Sequence, residues 1–112
     1  MAVTKTQLAG KVLLKLGVIS AGESVDSDDQ TLCDEAYESI YEELAERHLV
    51  DWGSGDSIPT WAMMPVRTIV ANRIANEFGK PRNEGEEESA MQQMAVYLSM
   101  RASGRPVTAE YY

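Results

Sequence analysis

The stretch SDDQTLCDEAYESIYEELAERH, residues 27–48, decides the fold. Leu32, Ala36, Ile40 and Leu44 recur every fourth residue, with Cys33, Tyr37 and Tyr41 flanking that stripe. Asp34, Glu35, Glu38, Glu42, Glu43 and Glu46 occupy the other positions. A 3.6-residue period of apolar side chains with carboxylates opposite them is the pattern of one amphipathic helix of about 20 residues. Ser27 followed by Gln30 has the spacing of a capping box, and Asp28 and Asp29 put negative charge where the helix dipole favours it. The spacing predicts a start at Ser27 and an end near His48.

Upstream, Thr4 and Gln7 show the same cap spacing before Leu8, Val12, Leu13 and Leu16, and Gly17 offers a left-handed stop. Downstream, DWGSGDSIP (residues 51–59) reads as a loop. A third helix is predicted from near Thr60, bent or restarted at Pro65, with Trp61, Ile69, Val70, Ile74 and Phe78 as its apolar markers and Gly79 and Pro81 as its end. The fourth runs from about Glu86 to Ala102, carrying Ala90, Met91, Met94, Tyr97, Leu98 and Arg101, and Ser103-Gly104 stops it. The expected fold is all-α: a small bundle of about four helices over residues 1–103, followed by an extended C-terminal tail, residues 104–112. Pro106 biases Arg105 to extended backbone, and Val107, Thr108, Tyr111 and Tyr112 suit strand-like docking on another chain.

The chain has 112 residues and a formal net charge of −8. Too few Lys and Arg are present to displace the counterions of a duplex or to settle on an anionic membrane. No apolar run approaches the ~18 residues of a membrane span, and MAVTKTQLAG lacks the apolar stretch of a signal peptide. A reducing cytosol is the expected place of synthesis. The charge is uneven: residues 23–56 carry 12 acids against Arg47 alone, whereas residues 1–22 carry only Lys5, Lys11 and Lys15. Such alternation lets copies of a chain attract one another side to side.

Little in the sequence promises bond-making chemistry. A di-iron bundle needs Glu-x-x-His, and Glu43 is followed by Arg47 and His48 at the wrong spacing. Asp51 and Asp56 with Gly53 and Gly55 lack the ligand register of a calcium loop, and no Lys-Ser/Thr follows to make a phosphate loop. Cys33, beside the apolar stripe, reads as a buried thiol, and the methionines read as core more readily than as a binding groove. Trp52 and Trp61 bracket the loop, as partner-facing anchors or as a lid over the bundle end. No cofactor and no metal are expected, and the reading is of a non-enzyme.

One ordered set of short motifs carries a resemblance. Leu16-Gly17-Val18-Ile19-Ser20-Ala21-Gly22-Glu23 leads through an acidic gap into the capped helix of Leu32, Ala36, Ile40 and Leu44; Val50-Asp51-Trp52, Ile58-Pro59 and a helix ending Phe78-Gly79 follow. Over residues 4–102 this order resembles the head-to-tail connector adaptors of tailed bacteriophages, in particular the tail accessory, or packaged-DNA stabilisation, proteins of short-tailed phages. The resemblance implies a virion protein of the neck, assembled in the host cytoplasm as a ring, typically a dodecamer. The ring would sit beneath the portal protein, extend the channel for DNA without reading its sequence, and offer a platform to the next tail or nozzle protein. It implies portal binding by Arg105, Pro106, Val107, Thr108, Tyr111 and Tyr112. Subunit contacts are expected between Lys11, Lys15, Arg67 and Arg73 on the basic strips and Glu38, Glu42 and Glu46 on the acidic helix. Trp52, Asp56 and Trp61 are the candidates for facing the next tail protein. The alternative from charge alone is an acidic helical mimic of DNA that occupies a DNA-binding protein.

Overall fold

A computed structural model of the chain describes residues 2–102. Four helices account for it: α1 Lys5–Leu16, α2 Ser27–Glu46, α3 Thr60–Ile74 and α4 Glu84–Ala102, with one 3-10 turn, Ala75–Phe78, extending α3. The all-α bundle is as expected. The extended tail lies outside the described residues.

Local rules set the helix ends. Thr4 and Gln7 make both halves of a capping box, at 3.2 and 3.0 Å. Gly17 takes the left-handed conformation, and the N–H of Val18 reaches back to the Leu13 carbonyl, closing α1 with a Schellman turn. At α2 the cap lies one residue earlier than the Ser27–Gln30 spacing predicts. The Asp26 carboxylate accepts the Asp28 N–H, and Gln30 spends its side chain on Asp34 at 2.8 Å. An anionic acceptor gains from the helix dipole as well as from the hydrogen bond, so aspartate displaces serine. The far end closes on His48, a non-glycine residue at φ 59, with Leu49 N–H bonded to the Leu44 carbonyl. Burial of both Leu44 and Leu49 offsets the left-handed backbone, which costs about 1–2 kcal/mol.

The buried line of α2 is Cys33, Tyr37, Ile40 and Leu44, rotated from the expected stripe; Leu32 and Ala36 are half-buried. Tyr37 can be buried because its hydroxyl finds a partner in Trp52. α3 is the hub: α1, α2 and α4 all pack on it, and Ala62, Val66, Ile69, Val70 and Ile74 are buried. It starts at Thr60 and runs through Pro65 as one helix, where a bend or a restart was expected. Pro65 is itself buried, so its packing compensates for the helical donor it denies to the Trp61 carbonyl. α4 begins at Glu84, two residues before the expected start, because Asn83 caps the Glu86 N–H at 3.1 Å.

One tie was not legible in the sequence. Val3 and Ile58 exchange two backbone hydrogen bonds of 2.8 and 2.7 Å, pinning the chain before α1 to the loop before α3, with Ile58 fully buried. Among the described residues no helix is long and apolar enough to cross a membrane.

Candidate docking interface

A ladder of aromatic rings runs across the bundle from α2 through the 51–59 loop to α4. Tyr41 and Trp52 meet edge-on at 6.0 Å, as do Trp52 and Trp61 at 5.8 Å; Trp61 then stacks on Tyr97 at 4.6 Å and 7°. The Trp52 indole N–H donates to the Tyr37 hydroxyl at 2.9 Å, and the Tyr41 hydroxyl donates to the Trp52 carbonyl. Trp52 is thereby bound on both its side chain and its backbone. Asp56 is exposed but tied within its own loop: its carboxylate accepts the Gly53 N–H at 3.1 Å, and its own N–H donates to the Gly53 carbonyl. A Cβ on Gly53 would stand 2.8 Å from Asp56 Oδ2, so a side chain there would displace that carboxylate.

Beyond Trp61 the surface opens. A groove of about 580 Å³ between α3 and α4 is lined by Trp61, Met64, Arg67, Thr68, Gln93 and Tyr97, with Lys15 of α1 at its edge. It adjoins a shallow depression over Val96 and Met100. Met64 is 57% exposed and Val96 58%, so large apolar side chains face outward here while Met91 and Met94 fill the core. The Trp61 Nε1 and Arg67 Nε atoms are covered yet have no hydrogen-bond partner among the described residues. Lys15 pairs with Glu86 at 3.5 Å.

α2 presents the opposite character. Glu35, Glu38, Glu42 and Glu46 are exposed along its outer face. Glu38 meets Lys5 at 3.4 Å, and that ammonium also lies 5.9 Å from the Tyr37 ring centre. Among the described residues no cation pairs with Glu35, Glu42 or Glu46, and none of the carboxylates pairs with Lys11 or Arg67.

Arg73, expected on a subunit contact, is instead spent inside the chain. Its guanidinium bridges Glu43 of α2 at 2.9 Å and Glu87 of α4 at 2.8 Å, and Arg82 adds a second clamp on Glu87 at 2.6 Å. Burial opposes the charge on Glu87, but the hydrogen bonds from Arg82 and Arg73 outweigh it and hold the carboxyl below the usual glutamate range. Beside it, buried Asn72 donates to Glu86 at 2.7 Å and to the Thr68 carbonyl, and accepts the Asn83 N–H. The sequence reading missed Asn72 and Glu87. The available signal was a polar pair, Asn72-Arg73, in the last turn of a mostly apolar helix.

Cys33 is 2% exposed, and burial, aided by Asp34 and Asp29, pushes its thiol up to about 11. That is the opposite of what a nucleophile requires. Among the described residues no three of His, Cys, Asp and Glu gather as a metal site. Arg105, Pro106, Val107, Thr108, Tyr111 and Tyr112 lie outside the described residues. Comparison with protein-family models, curated proteins and solved structures finds no match to this chain.

Proposed function

We propose that the chain is an architectural adaptor of a bacteriophage virion, forming a ring below the portal that extends the DNA channel and links capsid to tail. The observation that carries this reading is the pairing of two chemically opposite faces on one bundle: an apolar, cationic groove on α3 and α4, and an acidic outer face on α2. A head-to-tail ring needs two different, complementary patches on every copy. Carboxylates that reach a channel wall keep a sliding duplex from adhering to it. The resemblance in motif order over residues 4–102 supplies the setting, and the clamped Trp52 loop supplies a stiff end for the next tail protein to rest on.

Removing residues 104–112 tests the attachment. The truncated chain is expected to keep its helical circular dichroism and to lose binding to the portal protein of the same genome. Undiminished binding would refute the role of the tail. A chain that instead stays solitary and displaces duplex from a basic protein would favour the DNA-mimic alternative.

A further inference from the structure

We infer that the α3/α4 groove receives the acidic outer face of α2 from a second copy of the chain, head to tail, with Arg67 meeting the carboxylates of Glu42 and Glu46. The inference deepens the adaptor reading and rests on it for its biological setting.

Three observations converge on this occupant. The charged side chains lining the groove are Lys15 and Arg67, both cationic. Lys15 is partly satisfied by Glu86, but among the described residues Arg67 has no carboxylate partner and its covered Nε no acceptor. The Arg67 guanidinium shares the groove wall with Trp61 and Tyr97, and its remaining N–H groups form a fork suited to carboxylates. On α2, Glu42 and Glu46 are one helical turn apart on the exposed face and have no cation partner among the described residues. Among the described residues, the unpaired cation on α3 and the unpaired acids on α2 do not pair with each other within one chain. The apolar lining has a use too: Met64, Val96 and Met100 can cover the aliphatic stems of the incoming glutamates.

The geometry also selects the kind of contact. Groove and acidic face share no residue, so the pairing is heterologous, and repeated it closes into a ring or runs on as a filament. Arg73 and Glu43 take no part, since each is already held in the ion cluster with Glu87.

The test is nitrogen-edited NMR of the full chain from micromolar to millimolar concentration. The Trp61 indole N–H and the amides of Glu42 and Glu46 are expected to shift together as concentration rises, while the Trp52 indole, bonded to Tyr37, stays in place. R67E alone and E42K/E46K alone are each expected to weaken association by about tenfold or more, with unchanged circular dichroism. Mixing the two variants is expected to restore it, because each altered surface then meets its opposite charge. An absence of shifts at millimolar concentration, shifts that survive R67E, or a mixture no more associated than either variant alone would overturn the pairing. Portal binding that persists without this pairing would leave the adaptor reading standing. Self-association through these surfaces by a chain that ignores portal would do the reverse.

Discussion

Arg73 Nε lies 2.8 Å from Glu87 Oε1, and the same arginine reaches Glu43 across the bundle, so one guanidinium ties α2, α3 and α4 together. The Glu87 side chain is 5% exposed, and it accepts from Arg82 as well. Its loss would strand cations against a buried wall. E87Q is expected to lower stability by about 2–3 kcal/mol, short of the ~3–5 of a fully buried pair because Arg73 keeps some water contact. The midpoint and slope of urea unfolding check it.

Acid should act on the same cluster. The folded Glu87 carboxyl sits below its ordinary value, so its contribution is present above that ordinary value, about 4.3, and is lost as pH falls through the lower folded one. Glu86, lowered chiefly by its hydrogen bond from Asn72, works in the same direction. The wild-type chain should lose stability steeply on acidification below about pH 4.5, and E87Q should show a visibly shallower loss in urea unfolding across the same range.

The capping assignment separates two neighbouring residues. D26A should cost about 1 kcal/mol, since it removes the acceptor for the Asp28 N–H, whereas S27A should stay within about 0.5 kcal/mol. Thermal unfolding of the two single variants decides between an aspartate cap and a serine cap.

Trp52 and Tyr37 should behave as a coupled pair. W52F and Y37F each remove one partner of the 2.9 Å hydrogen bond, and a double-mutant cycle should return a coupling of about 0.5–1.5 kcal/mol. Additive losses would mean that the Trp52–Tyr37 hydrogen bond adds nothing beyond ring packing and the Tyr41 contact to the Trp52 carbonyl.

Cys33 should be inert in the folded chain. With its thiol raised to about 11, native alkylation at mildly alkaline pH should run at least about a hundredfold slower than in urea. Mass spectrometry of iodoacetamide-treated samples reads the difference.

The helices were legible because each carries its own punctuation: Thr4 with Gln7 and Gly17 for α1, the apolar stripe for α2, Gly79 after α3. What was hidden depends on contacts between segments. The rotation of α2 toward Cys33 and Tyr37 follows from Trp52 being near enough to bond the tyrosine, which no local period encodes. The Val3–Ile58 tie joins residues far apart in sequence without any alternation to announce it. Charge patterning drew attention to Arg67 and Arg73 alike; only packing shows that Arg73 is consumed by Glu43 and Glu87 while Arg67 keeps a donor unmet among the described residues. Trp61 stands between Trp52 and Tyr97 and also lines the groove.

The most direct measurement is native mass spectrometry of the full chain mixed with the portal protein of the same genome. The account predicts a ring-sized assembly of many copies on the portal oligomer, abolished in the chain lacking residues 104–112. A spectrum holding only free portal and free monomer, at concentrations where both are folded, would contradict it.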